Sequence, residues 1–178
     1  MKRTSEIKLY NIMLPVWIIV FWPSWLWVLV IPLNYLIDRI VLRWSLGDME
    51  DKGIFCRRHT WKICLAGFFS DFVGAGIMFA IFMSSAFLKS GSDDSFLQKL
   101  GYGVGFNPFS HVVALLLVLL CIAVSALLIY LIDKWILKKA GLSIEQAKRS
   151  AIRLALITAP YLYLFPSSLI YNNGQFII

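Results

Sequence analysis

From Val112 to Ile132 the chain runs without one charged side chain, and at about 1.5 Å per residue that stretch is long enough to cross a hydrocarbon core of about 30 Å as a helix. Inside hydrocarbon a backbone has no water to bond, so such a segment must satisfy its own N–H and C=O groups, which a helix does. Three more apolar stretches share the chain: Leu9 to Ile37, interrupted by Pro15, Pro23 and Pro32; about Trp61 to Leu88; and Leu154 to Tyr171, bent at Pro160 and Pro166. Hydrophobic residues make up 60% of the 178, against roughly 45–50% in a soluble domain. The expectation is an all-α integral membrane protein, one transmembrane helical domain spanning residues 1–178, built as a helical bundle of about five membrane segments.

The net charge of +7 raises the question of nucleic acid, and the distribution of the charge answers it. Lys2, Arg3 and Lys8 lie at the N-terminus, six basic residues lie between Arg39 and Lys62, and six more lie between Lys134 and Arg153, leaving Lys89 and Lys99 elsewhere. Basic clusters separated by apolar runs are the pattern of the positive-inside rule. They point to anionic lipid head groups rather than to nucleic acid, each well-placed cation being worth about 1 kcal/mol. The expected location is a plasma (inner) membrane, with the N-terminus cytoplasmic and the C-terminus outside. A single crossing by Leu9 to Ile37 would separate the first two clusters. Folding back at Pro23-Ser24 keeps them together, so the first two segments, roughly Ser5 to Trp22 and Trp25 to Trp44, are expected to form a Pro-kinked and re-entrant or fully crossing hairpin. The basic, then apolar N-terminus lacks a small-x-small cleavage site and reads as uncleaved.

Helix ends are marked along the chain. Gly47, before Asp48, Glu50, Asp51 and Lys52, closes one helix; Lys138-Lys139 before Gly141 closes the third unit, Ser110 to Lys138. Ser143 with Gln146 fits a capping box that opens the next helix. Trp44, Trp61 and Trp135 each stand beside a basic cluster, where an inner aromatic belt would lie. Lys89 to Asp94 and the Gly101-Tyr-Gly-Val-Gly105 run read as outside loop. Cys56, Cys64 and Cys121 have no C-x-x-C spacing and give no disulfide framework. With His59 and His111 as the two histidines, no metal spacing and no cofactor motif is present.

Asp71, in Phe68-Phe-Ser-Asp-Phe-Val-Gly74, reads as the one acid deep inside a span. A charge there costs at least about 2.5–3.5 kcal/mol, so such residues face a bundle interior or a wet cavity. Gly67, Ser70, Gly74 and Met78 share its helix face and form a small-lined surface suited to close packing. As a functional group Asp71 is an ion- or proton-binding carboxylate; as a structural one it is paired to a neighbouring helix. Asn34, Asp38 and His111 are candidate partners, although Asp38 beside Arg39 also suits an interfacial ion pair and His111, after Pro108, a solvated helix start.

Two short resemblances attach to these residues. Gly101-Tyr-Gly-Val-Gly105 resembles the glycine-aromatic core of the potassium-channel selectivity filter, which would imply an ion path, though no Thr-Val precedes it. Asn34-Tyr-Leu-Ile-Asp-Arg39 resembles the Asn-Leu-Ile-Asp-Arg element of lipoprotein signal peptidase, with Tyr35 as an extra residue, and would imply an intramembrane aspartyl enzyme using Asp38 and Asp71.

Three functions follow as expectations. The first is a non-enzymatic subunit of a larger membrane assembly, since one polar residue in the spans is few for a substrate pathway. The second is a small homo-oligomeric transporter or channel using Asp71. The third is the aspartyl or lipid-modifying enzyme. The topology is checked by single cysteines at Ser24, Gly91 and the C-terminus: Gly91 should label from outside only, and labelling from the cytoplasm overturns it.

Overall fold

In the computed structural model, which describes residues 15–20, 25–87, 95–169, 171–172 and 175–176, the chain is all-helical apart from one two-residue ladder. Five α-helices are present among the described residues: α1 (Trp27–Ser45), α2 (Lys52–Phe87), α3 (Ser95–Phe106), α4 (Val112–Lys139) and α5 (Ile144–Thr158). 3-10 turns lie at Val16–Val20, Pro108–Ser110, Tyr161–Leu164 and Ser167–Leu169, and Tyr171–Asn172 pairs antiparallel with Gln175–Phe176. Two of the helices, α2 and α4, are long and apolar enough to cross a membrane. With 36 and 28 residues they measure about 54 and 42 Å. The other three fall short of that standard, and α3 is not one of the expected segments, so of the expectation of about five membrane segments the structure bears out a helical bundle with two helices of spanning length and composition.

Local chemistry explains the ends. Gly47 and Gly141 both take positive φ, 60° and 99°, the conformation that stops a helix at least steric cost. At the end of α4, Leu142 N–H bonds Leu137 O (3.2 Å) and Gly141 N–H bonds Lys138 O (3.1 Å), the crossed pair of a Schellman turn, with Leu137 and Leu142 buried together. Ser143 Oγ accepts from Gln146 N–H at 3.2 Å, as the capping-box reading requires. Two boundaries differ from expectation. Helix α2 starts nine residues before Trp61, because the polar segment from Lys52 is amphipathic and buries Cys56 and Thr60. Helix α5 stops at Thr158, where Pro160 removes a donor and forces the chain into 3-10 turns rather than a bent continuation. The first hairpin arm lies mostly outside the described residues, and its part at Val16–Val20 is a 3-10 turn.

The Gly101 to Gly105 run is not a loop. It lies inside α3, which packs on α2 and α4. Three glycines survive in that helix because neighbours occupy the Cβ positions: Ser85 at Gly101, Ala114 at Gly103 and the Phe82 ring at Gly105.

Helices α1, α2, α4 and α5 pack in a ring, each against the next, with α5 returning to α1. Two apolar clusters fill it. One, at the end that holds both basic segments, gathers Leu42, Leu46, Cys56, Ile63, Leu137 and Leu154. The other, at the opposite end, gathers Trp17, Met78, Val104, Ala114, Val118 and Tyr163. The chain's two ends are tied across this second cluster: Val16 N–H donates to Ser167 Oγ at 2.8 Å and Trp17 Nε1 to Val104 O at 3.2 Å. Large apolar side chains cover much of the outside, among them Leu65, Phe69, Leu116, Leu120, Leu127 and Leu131.

Gly74 separates packing from propensity. A Cβ there would meet Ser125 Oγ, the Cys121 carbonyl and the Tyr163 ring, whereas a Cβ on Gly67 meets nothing within 4 Å. Gly74→Ala should therefore cost about 1–3 kcal/mol, and Gly67→Ala should be neutral or stabilising by up to about 1 kcal/mol, both read from unfolding in detergent.

Candidate functional site

Between the two apolar clusters the ring carries a polar waist. From α1 come Asn34 and Asp38, from α2 Ser70 and Asp71, from α4 Ser125 and Asp133, and from α5 Thr158. Each sits where its helix turns inward. On α4 the buried positions Ala114, Val118, Cys121, Ser125, Ile129, Asp133 and Leu137 recur at three- or four-residue steps, one face of a helix.

Asn34, Asp38 and Asp71 are brought to one cleft. A cavity of about 160 Å³ is lined by these three together with Cys64, Gly67, Phe68 and Thr158. A second, of about 250 Å³, shares Asn34, Phe68, Asp71 and Thr158, and adds Trp27, Pro160, Tyr161 and Tyr163. Asp71 thus stands where a polar chamber meets an aromatic one. No lysine or arginine among the described residues lines either.

The three acids differ in their surroundings. Asp38 is 5% exposed and lines the cleft beside Cys64; it faces inward rather than forming the interfacial pair with Arg39, because its position on α1 shares a face with buried Val41, Leu42 and Ser45. Asp71 is partly buried, and its Oδ1 has no hydrogen-bond partner among the described residues. Asp133 is fully buried, and neither carboxylate oxygen has a partner among them. Asp38 lies within electrostatic reach of both others.

Their offsets along the helices differ. Counted along each helix from its own exposed tryptophan, Asp133 is two residues from Trp135, Asp38 six from Trp44 and Asp71 ten from Trp61. That is about 3, 9 and 15 Å of helix. The tryptophans carry cations on their rings: Arg153 over Trp44 at 4.3 Å and Lys139 over Trp135 at 4.9 Å.

The backbone around Asp71 is anchored from outside α2. Ser125 Oγ donates to Ser70 O at 3.1 Å, and Tyr163 Oη donates to Asp71 O at 2.5 Å. Ser70 Oγ bonds back to Ala66 O at 2.8 Å, so it supports the helix and is turned from the cleft. Gly74 admits Ser125 and Tyr163 to that contact. His111 does not join the waist: its Nδ1 accepts from Val113 N–H at 3.2 Å as the cap of α4, about 33 Å along that helix from Asp133.

Asp71 is therefore not the one acid inside the bundle, as its sequence context suggested. Asp133 escaped notice because Lys134 and Trp135 follow it, which reads as an interface; the signal was its place eight residues beyond Ser125, the other polar side chain on that buried stripe. Cys64, Thr158 and Tyr163 are common residue types that only the packing singles out. Among the described residues no group of three or more His, Cys, Asp or Glu is arranged to hold a metal ion. Compared with known proteins, the chain matches no family model, no curated protein and no solved structure.

A buried polar group without a partner costs about 1–3 kcal/mol. Asp133→Leu should therefore raise the stability of the detergent-solubilised protein by that order, measured by thermal unfolding; a loss of stability would mean that Asp133 has a partner after all.

Proposed function

We propose that this chain is an integral membrane protein that moves protons or a small monovalent cation through its helical bundle, with Asp71 as the binding carboxylate. The observation that carries the reading is the position of Asp71 at the junction of two cavities whose linings hold a second acid and no fixed cation. An uncompensated carboxylate in a low-dielectric site binds a proton or a cation far more strongly than one in water. Asp38, one step shallower, and Asp133, shallower still, extend the acidic groups toward the basic end. Asn34 and Thr158 supply neutral oxygen ligands beside Asp71.

In this reading the basic end faces the cytoplasm, the expected plasma-membrane side for its lysines and arginines. The α1–α2 and α4–α5 connections both lie there, and a hairpin folding back at Pro23-Ser24 would bring the N-terminal cluster to the same side. The C-terminus then lies outside.

The alternative of a subunit in a larger membrane assembly rested on the spans having one polar residue. The polar waist weakens that ground, yet the apolar groove between α1 and α2, about 780 Å³ and lined by Trp27, Tyr35, Trp61, Phe68 and Phe72 among others, gives the outer surface a shape for another helix. A transporting subunit or a homo-oligomer satisfies both observations. Native mass spectrometry of the gently solubilised protein separates them: a stoichiometric foreign chain marks an assembly, copies of this chain alone a homo-oligomer.

Transport itself is tested in proteoliposomes carrying an internal pH dye. An imposed gradient should dissipate through the wild-type protein, at least tenfold more slowly through Asp71→Asn, and unchanged through Lys99→Gln. Normal rates in Asp71→Asn sink the proposal.

A further inference from the structure

A cavity unrelated to the acidic cleft opens at the basic end, between α2 and α4, with a volume of about 310 Å³. His59 and Lys62, one turn apart on α2, face Trp135 and Lys139, one turn apart on α4, across a floor of Ile136 and Ala140. Two ammonium-bearing side chains thus meet over one hollow, and no acid is among the residues that line it. The His59 ring, packed on Phe55, lines the cavity, and its Nδ1 is buried with no hydrogen-bond partner among the described residues. Lys139 lies over the Trp135 ring, 4.9 Å from its centroid, which holds one ammonium at the rim. Like charges that line one hollow repel one another unless an anion sits between them.

The geometry points to a binding site for an anionic phospholipid head group, which we infer to be held by Lys62, Lys139 and His59. A phosphodiester offers unesterified oxygens to both ammonium groups and an acceptor to an imidazole N–H. The exposed faces of Trp135 and Leu131 continue from the cavity along α4 toward the apolar midsection, a path for the acyl chains. Basic hollows between helices at a membrane's inner surface take anionic lipids in this way. The inference rests on the membrane location and the level of the basic end, and it is independent of Asp71.

The test is native mass spectrometry of the full chain in neutral detergent, titrated with phosphatidylglycerol or with phosphatidylcholine. Phosphatidylglycerol should stay bound where phosphatidylcholine does not. Its affinity should fall about fivefold in Lys62→Gln or Lys139→Gln and about 30-fold in the double variant, at about 1 kcal/mol per cation. Lys148→Gln, on α5 and outside the cavity, should match the wild type. Equal retention by the double variant, with an unchanged unfolding midpoint, overturns the site. Displacement of the lipid by millimolar inorganic phosphate overturns the lipid assignment in favour of a soluble phosphate. Release of the chain from membranes by alkaline carbonate is the separate failure, that of the membrane location itself.

Discussion

Carboxylates buried inside an apolar bundle set the terms for the rest of this structure. Each costs several kcal/mol to bring out of water, and three are present, on three different helices. The fold accommodates them on inward-facing positions of three helices. The ring is closed by the clusters around Met78 and Val118 at one end and around Leu42 and Leu137 at the other. These clusters give the burial that holds the ring together, each fully buried aliphatic side chain contributing about 1.5–3 kcal/mol. The acidic cleft lies between them.

The elements that position the waist come from distant parts of the chain. Tyr163, from the turn after α5, reaches the backbone of Asp71 across 92 residues of sequence, and Ser125 of α4 reaches Ser70 across 55. Ser167 and Trp17 tie the end opposite the basic one in the same manner. Neutral side chains therefore do this anchoring, and none of these four hydrogen bonds involves a carboxylate.

Much of the helical layout was legible in the sequence because its signals are local. Gly47, Gly141, the Ser143 cap and the uncharged Val112 to Ile132 run each act within a few residues, and each is found where the sequence put it. The misreadings came where packing overrides local preference. Three glycines in six residues resemble a loop, yet in α3 they are the residues that let Ser85, Ala114 and Phe82 approach. Asp133 looked interfacial by its neighbours in sequence and is buried by its neighbours in space. Asn34 and Asp38 were candidate partners of Asp71; that the three share a cleft with Cys64 and Thr158 depends on how α1, α2 and α5 close together, which no periodicity in a single helix encodes.

One consequence lies in the backbone of α2 at the cleft. The carbonyls of Ser70 and Asp71 are the regular ladder acceptors for the N–H groups of Gly74 and Ala75, and each also receives a hydroxyl from another helix or turn. An oxygen shared between two donors holds each less firmly, and Gly74 adds no side chain to stiffen the turn. Helix α2, continuous for 36 residues, is therefore least self-sufficient at the level of its buried acid. It is fastened there to α4 and to the segment after α5 as well as to itself, so a bend at that level would draw on both neighbours at once.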